Sequence, residues 1–339
     1  MQKLTIYDIS NLSGVSVTTV SRVINGSSNV NKETRKRVEK VIEEHGYVPK
    51  QSVRNFTQTG FVVVGLMMDD IRHSYMSELA YSIDQELRKW KVNVIVCNIV
   101  DVEREFIGQV DDLIDKCVKG IILLGSVFEN NICKVAIERR YRGFPFVTVN
   151  ANFSLPNVYE VLQDQAQGAR DAVRYLYGQG RRNIGFVFRN KSQSDRKKLL
   201  GFKEGMMQCN LNMKRMFEVE ELTLDGGKAA TASMIGRHPD TDAVIYSGDL
   251  LAVGGTHYLN ETQIQIPEQV AVIGFNNSSC AGYCYPPLTS IDNRISESGK
   301  AAAKILLNVL NQQAAENVMI KCGMVVRSST EVYSYRCTD

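Results

Sequence analysis

Residues 14–30 read GVSVTTVSRVINGSSNV, and in them Ser16, Thr18, Thr19, Ser21 and Arg22 take positions where a surface helix usually carries Glu and Lys. Hydroxyls both donate and accept hydrogen bonds, and a guanidinium presents a planar fork of donors. Together they suit a partner whose surface alternates donors and acceptors over a negatively charged frame, where a carboxylate would be repelled. Motifs for covalent chemistry are missing: the chain has no G-x-G-x-x-G after a strand, no G-x-x-x-x-G-K-[ST], no H-E-x-x-H and no G-x-S-x-G. The four histidines (45, 73, 238 and 257) are isolated, and only His73 follows a strand end where a cleft should open. A cytosolic metabolite-binding protein or enzyme therefore stays a competing class, the enzyme with no motif behind it. Cys280 and Cys284 form a single C-x-x-x-C with no second pair and no nearby His, so neither a metal nor a cofactor is expected.

The hydroxyl-rich stretch needs helices around it to hold it. Thr5 with Asp8 three residues on makes a capping-box pattern, Ser16 follows a turn at Gly14, and Asn31 precedes KETRKRVEKVIEEH, which Gly46 ends. Ile6, Ile9, Val20, Val23, Ile24, Val38, Val41 and Ile42 recur at helical spacing and can close a small three-helix core. Helix, three-residue turn SGV, helix is the helix-turn-helix pattern, with Gly14 supplying the left-handed turn. Its second helix enters the major groove of DNA, where small hydroxyls meet bases or phosphates and Arg22 can reach guanine. Charge agrees: residues 1–60 hold nine Lys or Arg against five Asp or Glu, while the other 279 hold 31 against 32. The positive excess lies wholly at the end that would face a polyanion.

From residue 61 the rhythm changes. VVVGLM, NVIVCNI, GIILLG and FPFVTVN alternate with helical patterns over 74–90, 103–119 and 129–141, and a second series follows with NIGFVF, DAVIYS and VAVIGF. That alternation predicts two doubly wound lobes of parallel sheet with a cleft at the carboxyl ends of their strands. Eight scattered cysteines, no leader before MQKLTIYDIS and no apolar run long enough for a bilayer imply a soluble cytoplasmic chain with reduced thiols.

LTIYDISNLSGVSVTTVSRVINGSSNVNKETRKRVEKVIEEHGYVP resembles the headpiece of the LacI/GalR family of bacterial transcription regulators. The likeness continues through VVVGLMMDDI, the lobe-crossing VLQDQAQGARDAVRYLYGQGRRNIGFV, YSGDLLAVGG, IPEQVAVIGFNN, YPPLTSIDNRISESGKAAAKILL and VRSST. The resemblance implies an all-α helix-turn-helix headpiece at 1–47, a hinge helix at 48–60, and an α/β bilobal periplasmic-binding-protein-like body. Its first lobe would be 61–160 with about 293–323, and its second 161–292 with about 324–339. Val17, Thr18 and Arg22 match base-reading positions, and Thr5, Tyr7, Ser16, Thr19, Ser21, Asn25 and Thr34 match phosphate-contacting ones. Phe56 falls where the family wedges a leucine into the minor groove, and Lys50 replaces the usual asparagine.

In the family the cleft binds a small effector, usually a sugar or nucleobase-type metabolite. This chain departs there: Lys198 replaces an arginine, Gly248 an asparagine, Asn276 an aspartate and Leu222 a stacking aromatic, while Asp249 is kept. Three readings follow. A different ligand is held by His73, Tyr75, Asn150, Lys198, Asp249 and Asn276; or, as in the catabolite-control branch, a phosphorylated carrier protein is the co-repressor; or the cleft binds nothing. The small molecule is the first expectation. One headpiece reads about half a turn of DNA, so a dimer on a pseudo-palindromic operator is expected. The sum is a repressor of transcription with no catalytic residue and no membrane partner.

Overall fold

A computed structural model describes residues 5–24, 30–45 and 62–331. Three short helices come first: α1 (Ile6–Ser13), α2 (Val17–Ile24) and α3 (Lys32–Glu44). Thr5 and Asp8 form the capping box at α1, and Asn31 caps α3 through its bond from Thr34 N–H, 2.7 Å. Gly14 stands at φ +67°, a left-handed turn that a side chain would strain. Ile9, Val20, Val23 and Val38 make the core, with Ile6, Ile24, Val41 and Ile42 packed around it. The helix stop expected at Gly46 lies outside the described residues.

The body runs β1 (Val62–Met68), α4 (Ser74–Arg88), β2 (Val92–Asn98), α5 (Val102–Asp115), β3 (Ile121–Leu124), α6 (Asn131–Val135), β4 (Phe146–Val149) and β5 (Val158–Asp164). It continues α7 (Gln165–Gly178), β6 (Ile184–Phe188), α8 (Gln193–Gln208), β7 (Met216–Glu218), α9 (Leu224–Arg237), β8 (Ala243–Tyr246), α10 (Asp249–Glu261) and β9 (Ala271–Asn276). It closes with α11 (Ser279–Tyr283), β10 (Thr289–Asp292), α12 (Ile295–Leu310), β11 (Val318–Lys321) and β12 (Gly323–Val325). One sheet has the order β11-β5-β4-β3-β1-β2 and the other β12-β10-β9-β8-β6-β7. All pairs are parallel except β10 with β12, an antiparallel edge that the expectation of purely parallel sheets did not include.

Both faces of each sheet are covered, as parallel sheets require. Along β1, Val64, Leu66 and Met68 enter the core under α4 and α12, while Val63 and Met67 enter the one under α5. Each such buried side chain is worth roughly 1.5–3 kcal/mol. The helix expected over 129–141 divides. Past α6 the turn widens, with Tyr141 N–H donating to Ala136 C=O five residues back at 3.1 Å, and this keeps Ile137 and Tyr141 both inside the core. Residues 158–164 form strand β5 before the chain crosses to the second sheet at α7, and β7, β11 and β12 are short strands that periodicity did not reveal. Among the described residues no helix is long and apolar enough to cross a membrane, and seven cysteines are free thiols.

Candidate nucleic-acid interface and inter-lobe cleft

Helix α2 is built on two faces. Val20 and Val23 point into the headpiece core, while Ser16, Thr18 and Arg22 are exposed and Val17, Thr19 and Ser21 half-buried. No acidic residue occurs in the helix. Ser16 sits at its start: its carbonyl accepts from Thr19 and Val20 N–H, and its Oγ lies 2.9 Å from Thr19 Oγ1. Thr18 and Arg22 are one turn apart on a single exposed face. Thr5 is tied into its cap, its N–H and Oγ1 both donating to Asp8 Oδ2 at 2.8 and 2.7 Å, which holds the Asp8 carboxyl below the usual range. Thr34 is half-buried in the first turn of α3. Tyr7 does not join the α2 face: its ring lies 6.3 Å from that of Tyr141 on the body. Asn25, Lys50 and Phe56, the remaining candidates for DNA, lie outside the described residues.

The strand ends gather the second set. Lys198, on α8, is buried; its Nζ donates to Ser247 C=O at 2.8 Å and lies 4.4 Å from the Phe275 ring centre. Burial pushes its pKa down to about 8, against the pull of Asp195. Asp249 opens α10, where β9 gives it room because a Cβ at Gly274 would come within 2.3 Å of its Oδ1. Its Oδ2 accepts from Ser278 N–H and Oγ at 2.7 and 2.8 Å, and Oδ1 from Ser290 Oγ at 2.5 Å. Burial still raises its pKa to about 6. Asn276 ends β9 at φ +105° and accepts from Asn293 Nδ2, 2.8 Å. Ser247 Oγ is buried and has no hydrogen-bond partner among the described residues.

In the first lobe, Asn150 follows β4 at φ +65°, a conformation asparagine tolerates better than most residues. Its Nδ2 donates to Gln163 Oε1 and to Tyr75 OH at 2.7 and 2.9 Å, and Gln163 reaches Ser298 Oγ at 2.8 Å. The Tyr75 phenol is pushed up by burial. His73 stands at the start of α4, 3.9 Å from Asp70 and partly exposed. Leu222 packs against the α9–α10 core. Arg196 is exposed, and Asp195 beside it caps α8 and pairs with Arg189 at 3.0 Å. Two bonds cross between lobes, Ser194 N–H to Ser126 Oγ at 3.1 Å and Ser279 N–H to Glu78 Oε1 at 3.0 Å, while Ser194 Oγ donates to Gln165 Oε1 at 2.7 Å within the second lobe. Sequence reasoning missed Gln163, Ser247, Ser278, Ser290 and Asn293. Ser247 and Ser278 each lie within two residues of a residue singled out from sequence, the one local signal available.

Residues 5–50 match the family described as bacterial regulatory proteins, lacI family, and residues 173–330 match a periplasmic binding protein-like domain. An HTH-type transcriptional regulator from Lachnoclostridium phytofermentans is 31% identical over 334 residues, covering 96% of this chain and 99% of the relative. Catabolite control protein A of Priestia megaterium is 28% identical over 322 residues, covering 94% and 96%. Among solved structures, a lac repressor dimer bound to operator and the anti-inducer ONPF superposes with a TM-score of 0.74 at 21% identity, covering 98% of this chain and 100% of that one. A CelR–cellobiose complex gives 0.69 at 24% identity, covering 96% and 99%. At those identities the two structures speak for the fold.

Proposed function

The chain belongs to the lacI family of bacterial regulatory proteins and is a transcription regulator, and we propose from that premise that two copies hold their α2 helices in successive major grooves of an operator. The observation that carries this is the construction of α2, apolar inside and acid-free outside, with Thr18 and Arg22 exposed one turn apart. Val17, Thr18 and Arg22 read base edges; Thr5, Ser16, Thr19, Ser21 and Thr34 contact or position phosphates. Tyr7 joins the phosphate contacts when it is released from the body. Bound to that operator, the protein represses transcription. Selection of duplexes from a random pool by the full chain tests it: recovery of a two-fold symmetric site supports the reading, and no preference over genomic competitor refutes it.

The body is the switch. We infer a small-molecule effector in the cleft, of the kind named for the lac repressor and CelR structures, gripped by Tyr75, Asn150, His73 and Asn276 and by the unpartnered Ser247 hydroxyl. Lys198 and Asp249 form the floor, their polar atoms already bonded within the second lobe. A ligand that binds the closed lobes better than the open ones shifts the body, and with it the headpiece spacing. That internal bonding, with the likeness to catabolite control protein A, favours one second reading: a protein co-repressor acting on the body surface. A thermal-shift screen of sugars, sugar phosphates and nucleosides separates the two. A hit that Asn150→Ala abolishes supports the cleft, and a blank screen favours the surface.

A further inference from the structure

Tyr7 of α1 rests on a prepared seat at the end of the first lobe. Its ring meets Tyr141 edge-on, at 6.3 Å and 70°, and the Arg140 guanidinium lies 5.4 Å from its centre and 5.9 Å from that of Tyr141. Neither partner is loose. Arg140 Nη2 and Nε donate to the two carboxylate oxygens of Asp111 at 2.7 and 3.3 Å, and Tyr141 OH lies 3.0 Å from both Asp111 Oδ1 and Ile107 C=O, which share its one proton. Tyr141 is almost wholly buried, and the widened turn over 136–140 ends at this pair. Such turns recur at functional positions.

We propose that the Arg140–Tyr141–Asp111 seat is a docking site for the chain's own headpiece, a latch that holds Tyr7 away from DNA. The proposal rests on the reading of Tyr7 as a phosphate-contacting residue. The two states exclude each other physically: burial first, then Asp111 and Asp115, pushes the Tyr7 phenol up to about 12, and a phosphate at that phenol meets the same carboxylates. Arg140 offsets them only in part. The docked fraction lowers apparent operator affinity by the fraction of headpieces withheld.

The test uses the full chain and the duplex it selects. Arg140→Ala removes the stacked cation, and Arg140→Lys keeps charge and ion pair but loses the flat guanidinium, guarding against a misfolded Ala variant. Both should bind the duplex at least threefold more tightly, Ala more than Lys. Without DNA, both should also speed tryptic release of the headpiece at Lys50 and Arg54. Tyr7→Phe keeps the ring contact and loses the hydroxyl, so cleavage should stay at the wild-type rate while duplex binding weakens. Unchanged affinity and cleavage in both Arg140 variants, or weaker binding at unchanged cleavage, overturns the latch. A wild-type chain that selects no duplex while the Arg140 variants are still cleaved faster overturns the DNA reading and leaves the docking site standing.

Discussion

In the proposed complex Arg22 and Thr18 act on the scale of single bonds. A guanidinium that bonds a guanine edge bidentately discriminates by about 1–3 kcal/mol, so Arg22→Ala should flatten base preference at one position of each half-site. The selected duplex and its single-position variants, titrated in parallel, measure this. Lys198 makes a second prediction through its protons. Below pH 8 the folded and unfolded chains both carry its charge, and burying that charge costs stability in full. Between about 8 and 10.5 the folded chain has released the proton while the unfolded chain retains it, so stability rises with pH. Relative to Lys198→Met, the wild type should therefore gain about 2 kcal/mol between pH 7 and 9.5, read by urea unfolding. A constant difference between the two proteins would refute the buried, depressed lysine.

At the scale of elements, the turn between α1 and α2 sets the angle at which the exposed face is presented. Gly14 holds φ +67° with open space where a Cβ would stand. Gly14→Ala therefore brings backbone strain without a clash, about 1 kcal/mol. Amide exchange in α1 and α2 should quicken roughly fivefold, with the body unaffected. Val20, wholly enclosed among Ile9, Val23 and Val38, is the opposite case. An acid there cannot be solvated without opening the helices, so Val20→Asp should abolish specific binding while the body's melting stays in place.

On the proposed reading two copies pair to read a full operator. Val100 is 85% exposed and Tyr283 87%, and Ile71 and Val96 are also exposed at the β2 edge, where Ile71 N–H bonds Asn98. Apolar side chains so presented suit burial against a second copy. Val100→Asp should shift the chain toward monomer in sedimentation and weaken operator binding well beyond any change in its headpiece; a variant that stays dimeric would place the contact elsewhere. Binding should also fall steeply with salt, because each neutralised phosphate releases counterions.

Much of this was legible along the chain because its causes are local. Thr5–Asp8, Gly14 and Asn31 act within four residues, and the alternation of short apolar runs with helical periods follows from covering both faces of parallel sheets. Strands β7, β11 and β12 escaped notice, since they are only partly buried and lack the unbroken apolar run that marks the equally short β3, β4 and β8. The partners of Lys198, Asp249 and Asn150 also escaped, since Ser247, Ser290 and Gln163 come from strand ends and crossings far away in sequence. Tyr7 against Arg140 and Tyr141 is the extreme example. More than 130 residues separate them, and only the packing of one folded unit on another decides whether that phenol faces a phosphate or the chain's own body.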